Sequence, residues 1–377
     1  MPRLLVSCGE PSGDLYAADL VQHLRARLPV LPQIFGLGGD RLQAEGAHLL
    51  AHVRELAVVG LWEVVSHLPR FLRIFRDLLA EVDRERPDLA ILVDYPDFNL
   101  RVARALHRRG IPVVYYVSPQ VWAWRPRRMS AIRAHVAHMI VIFPFEAKVY
   151  EDAGVPVTFV GHPLVDLVAP ERDRSGFLTA NGLDPARPVI ALLPGSRSKE
   201  IAHNLPAMAG AVRLLAERKP DLQFLAAVGP SIDAVTLRAG FPPSVVLVQG
   251  RTHAVLSVAD AAVVASGTAT VEAALLGTPM VVVYRLSALT YALGRRFVTV
   301  PHVAMANLIA QQRIVPELIQ GDFTAQGVAD AVLPLLGPAG DTMRGALGEV
   351  RGRLGAPGAS GRAAAVVAGL LAVQKYR

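Results

Sequence analysis

Short apolar runs separated by helical segments recur along the whole chain, and midway the pattern starts again. In the first half the runs are Leu4–Cys8, Leu89–Val93, Val113–Val117, Met139–Ile142 and Val157–Val160. In the second half they are Val189–Leu193, Leu222–Ala227, Val245–Val248, Ala261–Ala265 and Met280–Val283. A strand that is apolar throughout must be covered on both faces, which a parallel sheet flanked by helices achieves. The restart predicts two doubly wound α/β domains facing each other across a cleft. Gly161–Pro163, the charged stretch Glu171–Arg174 and Asp184-Pro185 place the linker near Pro163 to Arg174. The expected division is residues 1–165, residues 175–345 and a helical tail over 346–377 that packs back on the first domain, its last helix spanning about Ala363 to Lys375.

Length and composition agree with that division. At roughly 100 to 200 residues per domain, 377 residues make two. Hydrophobic residues are 52% of the chain and aromatic ones only 6%, so the apolar content is mainly Ala, Val and Leu. No apolar run reaches the roughly 18 residues a transmembrane helix needs. The short apolar start ends at Glu10, which is not a secretory signal, so a cytoplasmic location is expected. The single cysteine, Cys8, rules out an intrachain disulfide and a zinc site built of several cysteines, and its place in the first strand reads as an inert buried thiol. A net charge of +7 fits an anionic membrane or substrate. The basic residues are spread out and mostly Arg, without interleaved aromatics, so nucleic acid is not an expected partner.

Ligands of doubly wound sheets bind beyond the carboxyl ends of the strands, so the loops that follow strands carry the information. The first strand runs into Gly9-Glu10-Pro11-Ser12-Gly13-Asp14, with two acids among glycines. The loop is not a dinucleotide fingerprint, because Gly9 and Gly13 lack that spacing. It reads as a substrate loop, or as a strand–helix turn in which Ser12 or Asp14 caps the helix. Asp94-Tyr95-Pro96-Asp97-Phe98-Asn99 follows the next clean strand. A carboxylate there can take a proton from a substrate hydroxyl, or Asp97 or Asn99 simply caps a helix over Leu100–His107. Gln120, Trp122 and Trp124 precede Arg125, Arg127 and Arg128, a set suited to stacking on a sugar and holding a phosphate, or to packing in a core.

In the second half, Gly195-Ser196-Arg197 leads from a strand into a helix. Glycine gives backbone access, the helix start supplies N–H groups, and Arg197 offers a fork for phosphate oxygens. Ser266-Gly267-Thr268 repeats the design after a later strand, and Glu272 in the next turns is placed to accept ribose hydroxyls. Two anion-type loops with such an acid favour a nucleoside diphosphate over two routine capped helices. Asn307 and Glu317 stand as isolated polar residues in apolar settings. No metal-ligand spacing, kinase signature or P-loop ending occurs.

These motifs together resemble the lipid-A-disaccharide synthases. The resemblance rests on Ser7–Asp14, Asp94–Asn99, Ser118–Arg125, Leu193–Arg197, Ser266–Glu272, and Asn307 with Pro316–Gln320, in that order. Cys8 and Pro11 stand where smaller or less rigid residues are usual, while Glu10, Ser12, Gly13 and Asp14 match. The resemblance implies the two-domain GT-B architecture and an inverting transfer that uses no metal or organic cofactor. The donor would be UDP-2,3-diacylglucosamine, the acceptor 2,3-diacylglucosamine 1-phosphate, and the products a β-1,6-linked disaccharide phosphate and UDP. It points to Asp97 as general base, with Glu10 and Asp14 as rivals. Ser12, Gly13, Asn99, Gln120, Trp122, Gly195, Ser196, Arg197, Ser266, Gly267, Thr268, Glu272, Asn307 and Glu317 would contact substrate or UDP. Competing readings are another GT-B N-acetylglucosaminyltransferase or UDP-sugar epimerase, and a non-catalytic lipid- or nucleotide-binding protein.

Acylated substrates place such an enzyme at a membrane surface, here the inner face of the cytoplasmic membrane, and leave room for a homodimer. The segment 56–82 is the expected contact. On a helix starting near Pro69, the residues Leu68, Phe71, Leu72, Phe75, Leu78, Leu79 and Val82 share one face, with Arg70, Arg73 and Arg76 away from it. Such a stripe equally suits packing on its own domain. The cluster Val58, Val59, Leu61, Trp62, Val64 and Val65 is harder to place in a core, and part of it is expected to be exposed and to face lipid near the Glu10 and Asp97 loops.

Overall fold

The structure is a computed structural model; it describes residues 1–56, 61–119, 121, 128–229, 232, 234–285 and 302–374, with only the backbone described at 61–68 and 374. The chain divides into two units, Met1–Pro163 with Leu354–Arg377, and Leu164–Arg353. The first holds a seven-stranded sheet, the second a six-stranded one, and every pairing in both is parallel.

The first sheet consists of β1 (Arg3–Cys8), β2 (Gln33–Gly38), β3 (His48–His52), β4 (Leu89–Val93), β5 (Val113–Tyr116), β6 (His138–Val141) and β7 (Val157–Phe159), in the order β3-β2-β1-β4-β5-β6-β7. The second consists of β8 (Val189–Leu193), β9 (Gln223–Val228), β10 (Val245–Gln249), β11 (Ala261–Ala265), β12 (Met280–Tyr284) and β13 (Glu317–Ile319), in the order β10-β9-β8-β11-β12-β13. Both orders are doubly wound: the chain goes one way from a central strand, then returns and continues on the other side. The central residues of β1, β4, β5, β8 and β11 are buried because helices cover both faces. The expected pair of doubly wound units is therefore what folds, with β2, β3 and β13 added to the strands read from the sequence.

The chain returns to the first unit at its end. Helix Pro338–Arg353 belongs to the second unit, and helix Ala359–Gln374 packs along helix Pro11–Arg27. The return is tied by His162 N donating to Leu354 O at 2.8 Å and Arg362 Nε donating to Val160 O at 2.8 Å.

The amphipathic segment is one helix, Leu61–Glu85, with Pro69 inside it rather than at its start. Of its stripe, Leu78 and Val82 are buried beside Ile74, and Phe71 and Phe75, half-buried, pack against the same cluster as Leu92, Val102 and Tyr115. Leu72 alone of that stretch is a largely exposed large hydrophobic, at 48%. Leu78 and Val82 are thus withdrawn from any lipid face, while Leu72 is not. Val58 and Val59 lie outside the described residues, as do the side chains of Leu61–Leu68.

Candidate functional site

In each unit the motif-bearing loops follow the two strands that flank the switch in winding direction. In the first unit these are β1 and β4; Cys8 is in register with Val93, so Gly9-Glu10 and Asp94-Tyr95 leave the sheet side by side. In the second they are β8 and β11; Leu193 is in register with Val264, so Gly195–Arg197 and Ser266–Thr268 are neighbours. Crevices at such switch points are where doubly wound sheets bind ligands. The helices that leave these four strand ends, starting at Pro11, Pro96, Ser198 and Thr268, have no side-chain cap among the described residues. Of the helix starts elsewhere, those at Arg174 and Ala325 are capped by Asp173 and Thr324, while those at Thr252 and Met305 have no N-cap side-chain bond either.

The first edge is built on strained backbone. Asp94, Tyr95 and Val117 adopt φ of 47°, 51° and 63°, at the ends of the adjacent strands β4 and β5. Left-handed non-glycine residues cost on the order of 1 to 3 kcal/mol each, and a β-branched one is a true outlier. Surrounding bonds offset that cost. The Asp94 carbonyl accepts from Tyr115 Oη at 2.6 Å and from Asn99 Nδ2 at 2.8 Å, while Asp94 N donates to Tyr116 O at 3.0 Å. The Tyr95 ring lies so close over Gly9 that a Cβ there would sit 2.3 Å from ring carbons, and it stacks on Phe98. Its hydroxyl donates to Leu56 O at 3.2 Å. Burial raises the Tyr95 phenol's pKa strongly, and the carboxylates of Glu10 and Asp97 push it in the same direction.

Helix Pro96–His107 begins four residues earlier than the expected Leu100, which puts Asp97 and Asn99 inside its first turn. Their fates differ. Asn99 is fully buried; its Oδ1 accepts from Ser7 Oγ at 2.8 Å and its Nδ2 donates to Ser7 O, Val93 O and Asp94 O. It pins β1 to β4 rather than capping the helix. Asp97 is exposed and takes a hydrogen bond from Arg128. Asp14 is buried, and its carboxylate accepts from Gly39 N, Arg41 N and Leu42 N at 2.6, 3.1 and 3.1 Å. It caps helix Asp40–Ala44, not its own helix. Ser12 is half-buried and Gly13 buried in the first turn after Glu10. Cys8 is buried and its thiol is pushed well up by desolvation, as expected of an inert core thiol. Gln120 and Trp122 lie outside the described residues.

At the second edge Ser196, Arg197, Gly267 and Thr268 are exposed. Gly267 has φ 150° with nothing within 4 Å of an added Cβ, so its conformation requires glycine while the space beside it is open. Gly195 has φ 132°, and a Cβ there would lie 2.5 Å from the Glu200 carboxyl carbon. The close approach the sequence assigned to a ligand is made by Glu200, whose Oε2 accepts from Ser196 N at 3.0 Å. Burial raises the Tyr284 phenol, the Glu200 carboxylate adds to it and Arg197 opposes it. Glu272 is mostly covered and lies 3.6 Å from His253 Nε2.

A second layer braces this edge. Ser266 Oγ donates to Val303 O at 3.2 Å. Glu317 accepts from Val303 N, Ala304 N and Asn307 Nδ2, and fully buried Asn307 accepts from Ile314 N and Val315 N. Asn307 therefore sits within helix Met305–Ala310 instead of capping it, and Glu317 holds the residues that lead into that helix. Among the described residues no group of three or more His, Cys, Asp or Glu is placed to hold a metal ion, and no helix is long and apolar enough to cross a membrane. Sequence reasoning missed Glu200, His253 and the pairing of Arg128. A Glu three positions into the helix after Gly195-Ser196-Arg197 was the one available signal; the others are long-range contacts.

A family model for lipid-A-disaccharide synthetase matches residues 4–340. A lipid-A-disaccharide synthase of Acidobacterium capsulatum is 47% identical, covering 95% of this chain and 93% of that one. One of Myxococcus xanthus is 46% identical over 98% of each. Among solved structures, the glycotransferase of kitacinnamycin superposes with a TM-score of 0.68 at 18% identity, covering 98% of this chain and 100% of the other, a likeness of fold.

Proposed function

The chain belongs to the lipid-A-disaccharide synthase family, and from that premise we propose how its two switch-point edges divide the reaction. The enzyme transfers 2,3-diacylglucosamine from UDP to 2,3-diacylglucosamine 1-phosphate, giving the disaccharide phosphate and UDP. We read the β8/β11 edge as the UDP side. The observation that carries this is the side-by-side placement of two exposed glycine-containing loops at uncapped helix starts, with Arg197 on one and Glu272 behind the other. N–H groups and a guanidinium suit a diphosphate, and a covered carboxylate suits a ribose diol.

The β1/β4 edge is the acceptor side in this reading. The acceptor hydroxyl oxygen attacks the anomeric carbon, its proton passes to a carboxylate, and the bond to the diphosphate breaks with its electron pair leaving on UDP. Arg197 and the helix starts stabilise that charge. Asp97, exposed at the edge, is the proposed base and Glu10 its neighbour and rival. Asp14 is a positioning residue, because three backbone N–H groups occupy its carboxylate. Asn99, Asn307 and Glu317 brace the loops. The start of helix Leu61–Glu85 is the proposed membrane contact, on the cytoplasmic face, since Leu78 and Val82 further along that helix pack in the core.

Incubation of purified protein with the two lipid substrates tests the whole reading, following disaccharide phosphate and UDP together. Stoichiometric formation of both is expected, and Arg197→Ala should slow it roughly ten- to a hundredfold through a lost charge-assisted contact. Turnover unaffected in that variant would move the diphosphate away from the β8 loop.

A further inference from the structure

Asp97 does not stand alone at the acceptor edge. Arg128, the first residue of helix Arg128–His135, donates from Nη2 to Asp97 Oδ1. The two partners are unequal: the Arg128 side chain is 18% exposed and that of Asp97 is 74% exposed. The cation is set into the wall while the acid projects into solvent. Tyr115, whose hydroxyl anchors the strained Asp94 peptide, feels the charges of Asp94, Arg128 and Asp97 together, so the pair belongs to the same edge.

An ion pair with so exposed a carboxylate contributes about 0 to 1 kcal/mol, too little to account for a guanidinium held in place by burial. The pair has a chemical consequence instead. A guanidinium bonded to Oδ1 takes one of the carboxylate's lone pairs and holds the group turned toward Arg128 rather than toward an acceptor hydroxyl. Arg also offers parallel donors that match a phosphate better than a single carboxylate oxygen. The acceptor carries such a phosphate. Its phosphate and its attacking hydroxyl sit on the two carbons that flank the ring oxygen, one directly and one through the exocyclic carbon. A sugar that puts its hydroxyl at Asp97 therefore brings its phosphate within a guanidinium's reach of the same carboxylate.

We propose that Arg128 reads the acceptor's phosphate and, in turning to it, releases Asp97 to take the hydroxyl proton. Arg128 thus sets specificity for a phosphomonoester and links acceptor binding to the readiness of the base. The handover rests on the reading of Asp97 as that base.

The test compares kcat/KM on 2,3-diacylglucosamine with and without its phosphate, for the intact enzyme and for Arg128→Ala, Arg128→Lys and Asp97→Asn. The wild type should favour the phosphorylated acceptor by about a hundredfold, the scale of a charged hydrogen-bond pair. In Arg128→Ala that preference should collapse to within a few-fold of unity, and Arg128→Lys should restore part of it. UDP affinity, read by calorimetry, serves as the folding control. An Arg128→Ala enzyme that slows equally on both acceptors, or keeps its preference, overturns the assignment of Arg128. Asp97→Asn with wild-type turnover overturns the base and the handover with it, whatever Arg128 does; a collapsed preference in Arg128→Ala would then leave phosphate reading standing alone.

Discussion

Glu317 Oε1 accepts a hydrogen bond from Asn307 Nδ2 at 2.8 Å, and through this pair the loop over Val303-Ala304 is bound to the end of β13. Both residues are expected from the sequence to touch substrate; in the structure their polar atoms bond each other and nearby backbone. Asn307→Ala leaves the N–H groups of Ile314 and Val315 and one Glu317 interaction without partners in a buried setting. Unsatisfied buried groups cost about 1 to 3 kcal/mol each, so a loss on the order of 3 kcal/mol is expected. Urea unfolding would show it as a lower midpoint. An Asn307→Ala protein that unfolds like the wild type but no longer binds UDP would make Asn307 a ligand contact.

The choice of base can be separated by charge-removing isosteres. Asp97→Asn should cut turnover by about a hundred- to ten-thousandfold while leaving the melting temperature nearly unchanged, because Asp97 is exposed. Glu10→Gln should have the smaller effect. Asp14→Asn should chiefly destabilise, since one carboxylate oxygen of Asp14 serves two of its three N–H partners. The reverse ranking of the first two variants would pass the role to Glu10.

Glu272 and His253 make a prediction specific to ribose. If the covered carboxylate holds the sugar hydroxyls, Glu272→Ala should weaken UDP binding roughly ten- to a hundredfold and abolish discrimination between UDP and its 2′-deoxy analogue. His253→Ala, which removes the neighbour 3.6 Å away, should reduce the same discrimination in part. Calorimetric titration of both nucleotides reads this directly. Full discrimination retained in Glu272→Ala would place the ribose elsewhere.

The fold was legible where strands are apolar throughout and the site where loops follow such strands. The missing strands explain themselves. β2 carries Gly36, whose added Cβ would meet Val6 O at 1.9 Å; it is a strand because it packs closely on β1, a reason invisible locally. β3 is bounded by histidines and β13 has three residues, too short to show a period. At the site, residue type announced polar chemistry without saying whom it serves. Asp14, Asn99, Asn307 and Glu317 look like ligand contacts in sequence, yet each meets backbone groups brought in by other elements. Gly195 announced a close approach, and only the fold assigns it to Glu200.

Membrane association should depend on the first two turns of helix Leu61–Glu85. Replacing Leu61, Trp62 and Val65 with Ser should reduce flotation with anionic liposomes and activity on long-chain substrates, with UDP affinity intact. Leu78→Ser, by contrast, should destabilise the protein, because Leu78 is buried in the core of the first unit. A triple variant that floats as well as the wild type would move the contact to another surface.

His162 carries a pH dependence whose sign is fixed by burial. It is enclosed between Tyr16, edge-on at 5.9 Å, and Phe143 at 5.3 Å, and desolvation drives its pKa down from 6.5 to about 3. The native state therefore keeps it neutral where the unfolded chain would protonate it. Above the unfolded value both states are neutral and the full stability is present. As pH falls from there toward 3, only the unfolded chain takes the proton, and stability is lost by up to about 1.4 kcal/mol per pH unit. His135 and His138, also shifted down by desolvation first of all, act in the same direction. Lowering the pH from about 7.5 to about 5 should cost on the order of 2 kcal/mol through His162. His162→Phe keeps an aromatic ring between Tyr16 and Phe143 and has nothing to protonate, so its loss over the same interval should be smaller by that amount. Urea midpoints of both proteins at both pH values decide it, because any fixed cost of the substitution cancels in the difference. An equal loss in the two proteins would mean that the imidazole is protonated in the native state as readily as in the unfolded one.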